Sequence, residues 1–418
     1  MGGDSSVATD QFSHPYCNDL YVPVGEPRMN SERKDASAPT NNLKLYERRP
    51  NLLKSAFSGI WSVRLPASIA PIPRTGHFYV YDQDEHRLFV GYGIDSQNQT
   101  MSDLWCLDTH THKWNKIRLT GSIYSGRSGS RAIILKNPNS NPNNTNFNNN
   151  FANDSDNTET SQICRLIIFG GFAEQSYYAD LHAIDIMSDG TGIVSPISTT
   201  GEAPSPRSSP IFVKYEKYIY LWGGFNGEWP TSLHVLDLET LNWTEHPQDI
   251  AGRITVPGVI LQNRYFAYGG SKSGGMIVLD FESRNILLTP TTGSEPPSGV
   301  LGSGMALVER YLFFFGGKAA SNWTLMYACD IEKMWWFVFH VMPDGDTVSI
   351  ADGTISELGL FMLPRIHSFA VCYVREMRQI MACLGAPEKD PPPLFIVNIG
   401  EAMGVIHLRE DMLDMIPK

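Results

Sequence analysis

The stretch Tyr220-Leu-Trp-Gly-Gly224, followed after a loop by Leu233-His-Val-Leu-Asp237, decides the fold of this chain. One short apolar run ends in two glycines, and the next ends in Asp, with Trp243 shortly after it. Short apolar runs separated by glycine-containing turns are typical of antiparallel β-strands. Arg207, preceded by Pro, begins the unit. The whole unit therefore predicts one small antiparallel sheet.

The same pattern recurs six times, with spacings of 46 residues from Gly223 to Gly269 and 47 from Gly269 to Gly316. The fifth copy lacks the Arg, and the sixth has a decayed glycine pair at Leu384-Gly-Ala386. We expect His77 and His367 to occupy one repeated position. The glycines assigned to the repeated strand ends are Gly91, Gly93, Gly170, Gly171, Gly223, Gly224, Gly269, Gly270, Gly316, Gly317 and Gly385.

These copies resemble the kelch-repeat family over roughly residues 58 to 408, whose period is about 50 residues. The resemblance implies an all-β, six-bladed kelch-type β-propeller of four-stranded antiparallel blades. Two segments can complete the last blade, Gly59-Ile-Trp-Ser-Val-Arg-Leu65, since an N-terminal strand often does so in such propellers, and Gly404-Val-Ile-His-Leu408. The alternative is seven blades with a partial N-terminal blade, because Asp19-Leu-Tyr-Val22 resembles a third strand.

Three segments fall outside the repeat. Residues 1–57 are polar and are expected to form an irregular or disordered tail before the propeller at 58–418. An Asn-rich insertion at 137–161 is expected to be disordered because it has little apolar area to bury, and a second insertion spans 342–363. The N-terminus fits the myristoylation pattern at Gly2, but one acyl chain without basic residues gives only marginal membrane contact.

Composition restricts the function classes. The 418 residues carry a net charge of −11, which disfavours binding to nucleic-acid phosphates. No apolar run approaches the length of a membrane span, and the first residues lack a signal-peptide pattern. We therefore expect a cytoplasmic or nuclear protein with no transmembrane segment and with buried, reduced cysteines.

No motif for catalysis stands out, so we expect a protein that is not an enzyme and has no metal or cofactor. The eleven His are scattered without the spacing of a zinc protease, and no phosphate-binding loop is present. Some kelch-like propellers are copper enzymes or iron-dependent specifier proteins, and this remains the alternative function. A second alternative is a cytoskeletal, actin-associated component, because some kelch proteins bind actin.

The expected function is a protein–protein interaction module or scaffold. The resemblance implies docking on the face that carries the loops between second and third strands and the blade-joining segments. Aromatic and Arg side chains are enriched at binding hot spots. In kelch members that bind acidic peptides, arginines near the start of the first strand contribute to the pocket, so the resemblance implies that the five Arg here select an acidic peptide segment of a protein partner. The alternative role for each Arg is structural, either capping strand ends or pairing with the Asp that ends a third strand. The candidate residues are Arg74, Arg127, Tyr177, Tyr178, Arg207, Phe225, Trp229, Arg253, Trp323 and Arg365.

Overall fold

A computed structural model describes residues 59–136, 161–271, 275–356 and 360–400 of the chain. The regular structure of these residues is all-β. The predicted N-terminal tail with Gly2, the strand candidates at Asp19 and at Gly404, and almost all of the Asn-rich insertion lie outside the described residues.

Thirty strands follow one another along the described part of the chain. The first ten are β1 (Gly59–Arg64), β2 (Phe78–Asp82), β3 (Arg87–Gly91), β4 (Leu104–Asp108), β5 (Lys113–Gly121), β6 (Arg131–Lys136), β7 (Gln162–Ala173), β8 (Ser176–Met187), β9 (Thr191–Pro196) and β10 (Thr200–Gly201). The next ten are β11 (Ile211–Tyr215), β12 (Tyr218–Trp222), β13 (Leu233–Asp237), β14 (Asn242–His246), β15 (Gly258–Leu261), β16 (Arg264–Ala267), β17 (Met276–Asp280), β18 (Asn285–Thr289), β19 (Thr292–Gly293) and β20 (Leu301–Val308). The last ten are β21 (Tyr311–Lys318), β22 (Trp323–Thr324), β23 (Met326–Asp330), β24 (Trp335–Phe339), β25 (Val341–Pro343), β26 (Thr354–Ile355), β27 (Phe361–Pro364), β28 (Ala370–Val374), β29 (Gln379–Cys383) and β30 (Leu394–Asn398).

The chain divides into two compact units, and unit A contains Pro66–Thr255 with Asp390–Pro392. Its strands form three four-stranded antiparallel blades: β2 to β5 (blade I), β6 to β9 (blade II) and β11 to β14 (blade III). The end of β5 pairs in parallel with β9, which joins blades I and II into one sheet. The short strand β10 follows blade II and pairs in parallel with β14 of blade III.

Unit B contains the described residues 59–65, 256–389 and 393–400. Its blades are β15 to β18 (blade IV), β20, β21, β23 and β24 (blade V), and β28 to β30 with β1 (blade VI). The antiparallel pairing of β1 with β30 shows that the segment at Gly59, one of the two candidates, is the fourth strand of the last blade. Six four-stranded blades among the described residues agree with the predicted β-propeller.

The cores lie between the blades, because apolar side chains on both faces of a blade must be covered by its neighbours. Trp243, at the start of the fourth strand of blade III, is 2% exposed and packs in one cluster with Phe169 and Leu181 of blade II. Trp336 has the same place between blades IV and V, in a cluster with Phe266 and Tyr268. Each indole buries a large area at a junction. These two aromatics therefore pack between neighbouring blades.

A recurring hydrogen bond explains the glycine pairs. The second glycine of a pair donates its N–H to a carbonyl of the next copy, as Gly171 does to Arg207 at 3.0 Å and Gly224 to Arg253 at 2.9 Å. The first glycine has φ near +61° at Gly170, a region that side chains with a Cβ rarely adopt. A Cβ there would stand 2.7 Å from the Arg207 carbonyl oxygen.

The position of this hydrogen bond corrects the predicted alignment of the repeats in two places, the first copy and the last copy. In the first copy Gly93 is the donor, so its partner position is Tyr92, at φ 61°, and Gly91 lies one residue earlier within β3. In the last copy Gly317 donates to the carbonyl of Ile366 rather than to that of Arg365.

The equivalence of His77 and His367 was wrong for the same reason. His367 bridges Ala386 as Thr75 bridges Ile94, so it corresponds to Thr75. The sixth copy is shifted by one residue relative to its Pro-Arg sequence.

The five cysteines among the described residues are free and buried, as expected. Burial raises the pKa of the Cys106 and Cys164 thiols to about 12, which keeps them protonated.

Candidate functional site

Four aromatic side chains of unit A form one cluster, which we call the aromatic cluster: Phe172, Tyr177, Phe225 and Trp229. Ring centroids are 4.8 Å apart for Phe172 and Tyr177, and 4.9 Å apart for Phe225 and Trp229. Tyr177 and Phe225 connect the two pairs edge to face at 6.2 Å. Phe172 and Trp229 are 36% and 37% exposed, so a large apolar area faces solvent.

Two neighbouring loops hold this cluster. Phe172 and Tyr177 belong to the hairpin between the second and third strands of blade II, and Phe225 and Trp229 to the matching loop of blade III. Phe172 and Phe225 each directly follow a glycine pair and are fixed by backbone bridges to Ser128 and Ser208. Because the backbone is bonded on both sides, the aromatic rings project from a rigid base.

Three arginines of unit A repeat one buried arrangement. Arg74, Arg127 and Arg207 are at most 2% exposed. In each, Nε donates to the carbonyl two residues earlier, at 3.0, 3.4 and 3.0 Å respectively. Nη1 donates to the carbonyl of Tyr92, Gly170 or Gly223, at 3.2, 3.4 and 3.1 Å. These arginines therefore tie the start of a blade to its glycine turn.

The counter-ion distinguishes the three. Asp103 binds Arg74 through both carboxylate oxygens, at 2.5 and 3.1 Å, and Asp180 binds Arg127 at 2.5 Å. Both carboxylates stand directly before the core of a third strand, not at its end, so the predicted pairing with the strand-ending Asp is wrong for these two. Arg207 has no carboxylate within ion-pairing distance in the described part of the chain. Ser232 occupies the matching sequence position, directly before Leu233.

Tyr178 and Arg253, the remaining candidates in unit A, are packed into their own blades. Tyr178 lies beneath the Arg127 guanidinium, 4.0 Å from its ring centroid, and its carbonyl accepts the Arg207 N–H. Arg253 is 3% exposed. Arg253 is thus buried, whereas Tyr178 is half-buried against Arg127.

Trp323 and Arg365 lie together in unit B. Arg365 donates from Nη2 to the Trp323 carbonyl at 3.0 Å, and β22, which contains Trp323, pairs with β27. Both side chains are half-buried. The structure thus brings together Tyr177, Phe225 and Trp229 in unit A, and separately Trp323 and Arg365 in unit B.

A buried polar network lies beside the Arg127–Asp180 pair. Nε2 of His182 forms a hydrogen bond with the Tyr92 hydroxyl at 2.8 Å, and Nδ1 forms one with the Asp180 carboxylate at 3.2 Å. The Tyr124 ring stacks on His182 at 4.0 Å. Burial lowers the pKa of His182 and raises that of Tyr92, so both are neutral near pH 7. The network fixes the junction of blades I and II and offers no ionised nucleophile.

Sequence reasoning found three of the four cluster residues and missed Phe172. The signal was present, because Phe172 follows Gly170-Gly171 as Phe225 follows Gly223-Gly224. It also missed Asp103 and Asp180 as partners of the arginines, although both occupy the same place before a third strand.

Repeated four-stranded blades joined by glycine pairs define a kelch-type β-propeller. A family profile described as "KLHDC2/KLHL20/DRC7 Kelch-repeats domain" matches residues 151–270. This match, together with a relative that carries kelch motifs, supports a kelch-repeat family for this chain.

Curated relatives share parts of the chain. Acyl-CoA-binding domain-containing protein 5 of Arabidopsis thaliana is 31% identical over 170 residues, covering 36% of this chain and 25% of that protein. The Rab9 effector protein with kelch motifs of Mus musculus is 26% identical over 186 residues, covering 42% and 41%. Leucine-zipper-like transcriptional regulator 1 of Homo sapiens is 21% identical over 285 residues, covering 63% and 30%. The chain thus matches less than half the length of each.

The described residues include no helix that is long and apolar enough to cross a membrane.

Proposed function

We propose that the chain is a protein-docking module whose partner binds on the aromatic cluster of unit A. The observation that carries the proposal is the pair of exposed rings, Phe172 and Trp229, that continue a cluster fixed by backbone bridges. Rigid exposed aromatics bury a large area on binding and lose little conformational entropy. Kelch-repeat proteins commonly serve as interaction modules, which agrees with this site.

Among Arg74, Arg127 and Arg207, the proposal favours Arg207 for contact with an acidic partner segment. Arg74 and Arg127 already carry a carboxylate from their own blades. Arg207 lies beside the aromatic cluster: Asn226, which follows Phe225, donates to the Ser205 Oγ that also accepts from Arg207. We therefore place the acidic contact, within this proposal, at Arg207.

The test is a double substitution, Phe225→Ala with Trp229→Ala, on the purified full chain. A single hot-spot aromatic is worth about 2 kcal/mol or more, so partner affinity should fall at least roughly 30-fold if one of the two rings is a hot spot, with capture measured by quantitative mass spectrometry. Leu287→Ala is the matched control, because this side chain is 60% exposed and belongs to another blade.

Localisation of the contact comes from a photo-crosslinking residue placed at position 177 or, as a control, at position 287. Partners lost in the double variant should crosslink from position 177 alone. An unchanged partner set in the double variant would mean that the partner binds elsewhere.

A further inference from the structure

The outer edge of blade IV differs from those of the other five blades in the described part of the chain. In blades II, III, V and VI, a short parallel segment from before the blade covers the fourth strand: the end of β5, β10, β19 and β25 respectively. In blade I, Ala67 donates its N–H to the His112 carbonyl at the same place, at 2.8 Å. The sheet of blade IV ends at β18, and no described strand lies beside it.

Blade III shows what a covering segment needs. Thr200 lies opposite Asn242, the first residue of β14, and Gly201 lies opposite Trp243. Gly201 has φ +81°, and a Cβ on it would collide with the Trp243 carbonyl oxygen, so glycine is required there. Glu202 then donates its N–H to that same oxygen at 3.0 Å. The strand β19 repeats the arrangement in blade V, with its glycine at φ +87°.

The glutamate that follows this glycine makes a second contact. The Glu202 carboxylate accepts the backbone N–H of Glu245, two residues beyond Trp243, at 3.1 Å. Both the carbonyl and the amide groups on the outer side of a fourth strand need hydrogen-bond partners. A Gly-Glu pair supplies a donor and an acceptor together, so it is suited to closing the outer edge of a blade.

The segment before blade IV has no such sequence. Residues 247–257 read Pro-Gln-Asp-Ile-Ala-Gly-Arg-Ile-Thr-Val-Pro and contain no strand. The one glycine of this segment, Gly252, is followed by Arg253 and lacks the positive φ of Gly201. A Cβ on Gly252 would collide with the Pro230 carbonyl, so this glycine serves a different close approach. The segment therefore leaves β18 without the cover that the other blades receive.

The strand β18 presents an apolar and uncharged edge. It reads Asn-Ile-Leu-Leu-Thr, and Leu287 and Leu288 are 60% and 43% exposed. The equivalent residues of β14 in blade III are Thr244 and Glu245, which are polar. Charged side chains protect many edge strands from further pairing, and an apolar edge without them is a template for an added strand.

The chain carries a candidate for this added strand before β1. Val24-Gly25-Glu26 repeats the Gly-Glu pair found at Gly201, and it contains the one Gly-Glu sequence among residues 1–58. From Glu26 to Gly59, where β1 of unit B begins, the chain advances 33 residues. An extended chain of that length spans about 100 Å, against a radius of gyration of about 20 Å for a compact domain of this size. The segment can therefore reach any edge of unit B.

We propose that Val24-Gly25-Glu26 adds to β18 as a parallel strand and closes the outer edge of blade IV. Val24 lies opposite Asn285 and Gly25 opposite Ile286, in the register that β10 takes on β14. The occupant of this edge is thus a segment of the same chain. The inference concerns unit B and does not depend on the docking surface proposed for unit A.

This register fixes the role of each residue in the added strand. The Glu26 carboxylate accepts the Leu288 N–H, as the Glu202 carboxylate accepts that of Glu245 in blade III. Gly25 is the residue on which the pairing depends, because a Cβ there would meet the carbonyl of β18 that corresponds to the Trp243 carbonyl. Pairing also removes part of the exposed leucine surface of β18 from water.

Gly25→Ala tests this pairing in the full-length chain. Hydrogen–deuterium exchange of the peptide that contains β18 should become at least roughly tenfold faster, because the added strand detaches. Gly3→Ala is the matched control: it makes the same change in the same N-terminal region but outside the Gly-Glu sequence, and it should exchange like the wild type. Equal exchange of β18 in the wild type and in Gly25→Ala would overturn the proposal.

A disulfide experiment locates the contact. In a Cys17→Ser background, Glu26→Cys is combined with Leu288→Cys or, as the matched control, with Glu245→Cys on an edge that β10 already covers. Mild oxidation should link positions 26 and 288 within one chain and leave positions 26 and 245 unlinked, as measured by mass spectrometry of unreduced peptides. Equal linking of both pairs would mean random contacts of a tethered segment and would refute the added strand.

The mass of the linked species distinguishes the other possible occupants. The proposal requires a linked monomer. Linked dimers, or protection of β18 that increases with chain concentration, would assign the edge to a second copy and overturn the proposal. An unprotected β18 in the purified wild type, with no link between positions 26 and 288, would leave the edge to a strand of a partner protein and would also overturn it.

Discussion

The ring of His77 is 4% exposed and lies just before β2. Burial, with added repulsion from Arg74 and Arg131, lowers its pKa to about 3, against 6.5 in an unfolded chain. The unfolded state therefore takes up a proton first as the pH falls. The stability contribution of neutral His77 is complete above about pH 6.5 and is lost progressively towards about pH 3, by about 1.4 kcal/mol per pH unit.

His77→Asn removes this titration. Between about pH 6.5 and pH 5 the wild type should lose about 2 kcal/mol more unfolding free energy than the variant, measured by urea unfolding. His110→Asn, at an exposed position, is the control and should follow the wild type. Parallel pH curves for wild type and His77→Asn would show that the buried ring does not govern acid sensitivity.

At the residue scale, the sequence shows which residues occupy the repeated positions, but not whether their side chains are buried. The pattern of Pro or Gly followed by Arg located Arg74, Arg127 and Arg207 correctly, yet could not show that all three are buried. Burial depends on where the glycine turn of the same blade places its carbonyls, which is a tertiary property. The absent aspartate at Ser232 has meaning only after those contacts are known.

At the element scale, strand β1 is held from both sides. It pairs with β30 and, in parallel, with β25. Trp61 of β1 is fully buried and stacks on Phe395 at 5.3 Å. Its Nε1 donates to the carbonyl of Asp352, a residue of the predicted second insertion, whose side chain pairs with Lys389 at 2.6 Å. The described part of this insertion therefore packs over β1.

Trp61→Ala should cost about 3–5 kcal/mol of unfolding free energy, because it leaves a large cavity in blade VI. Trp61→Phe keeps most of the packing but loses the hydrogen bond to Asp352. Its cost should therefore be smaller: about 1 kcal/mol for the lost bond, with a further contribution from the smaller ring. Ile60→Ala is the control, since Ile60 is 37% exposed on the same strand. Chemical denaturation that gives equal losses for Trp61→Ala and Ile60→Ala would contradict this packing role.

The strand pattern itself was readable from the sequence at this scale. Apolar runs ending in Gly-Gly or Asp became second and third strands because those residues end strands for local reasons, namely positive φ and side-chain bonds to turn amides. The short parallel strands β10, β19 and β25 were not predicted. They exist only through pairing with the fourth strand of a following blade, which a local pattern does not encode.

At the scale of the whole molecule, the stability of a repeat protein is approximately the sum of the stabilities of its repeats and of the contacts between neighbouring repeats. Within unit A, blades II and III share a glycine hydrogen bond, from Gly171 to the Arg207 carbonyl, and one apolar core. In such chains a local defect is expected to weaken the blades that share the damaged junction more than distant ones. The spacing of the glycine pairs in the sequence predicted the order of the repeats. The one-residue shift at Ile366 became visible only through its hydrogen bond with Gly317.

Gly170→Ala tests whether a local defect weakens mainly the blades that share the damaged junction. The new Cβ would combine a strained φ near +61° with contacts of 2.7 Å to the Arg207 oxygen and 3.0 Å to the Tyr178 oxygen. The strain costs about 1–2 kcal/mol, and the overpacking adds about 1–3 kcal/mol. Hydrogen–deuterium exchange should therefore accelerate in blades II and III and stay unchanged in blade V.

Gly299→Ala is the matched control, because its φ is +70° and a Cβ would meet nothing within 4 Å. It adds the same backbone strain without a clash, so its loss of stability should be close to the about 1–2 kcal/mol of the strain alone. Exchange that accelerates evenly over all blades in Gly170→Ala would mean that the described blades open as one cooperative body. Acceleration confined to blades II and III would instead identify the glycine hydrogen bond as the unit that transmits stability from one kelch repeat to the next.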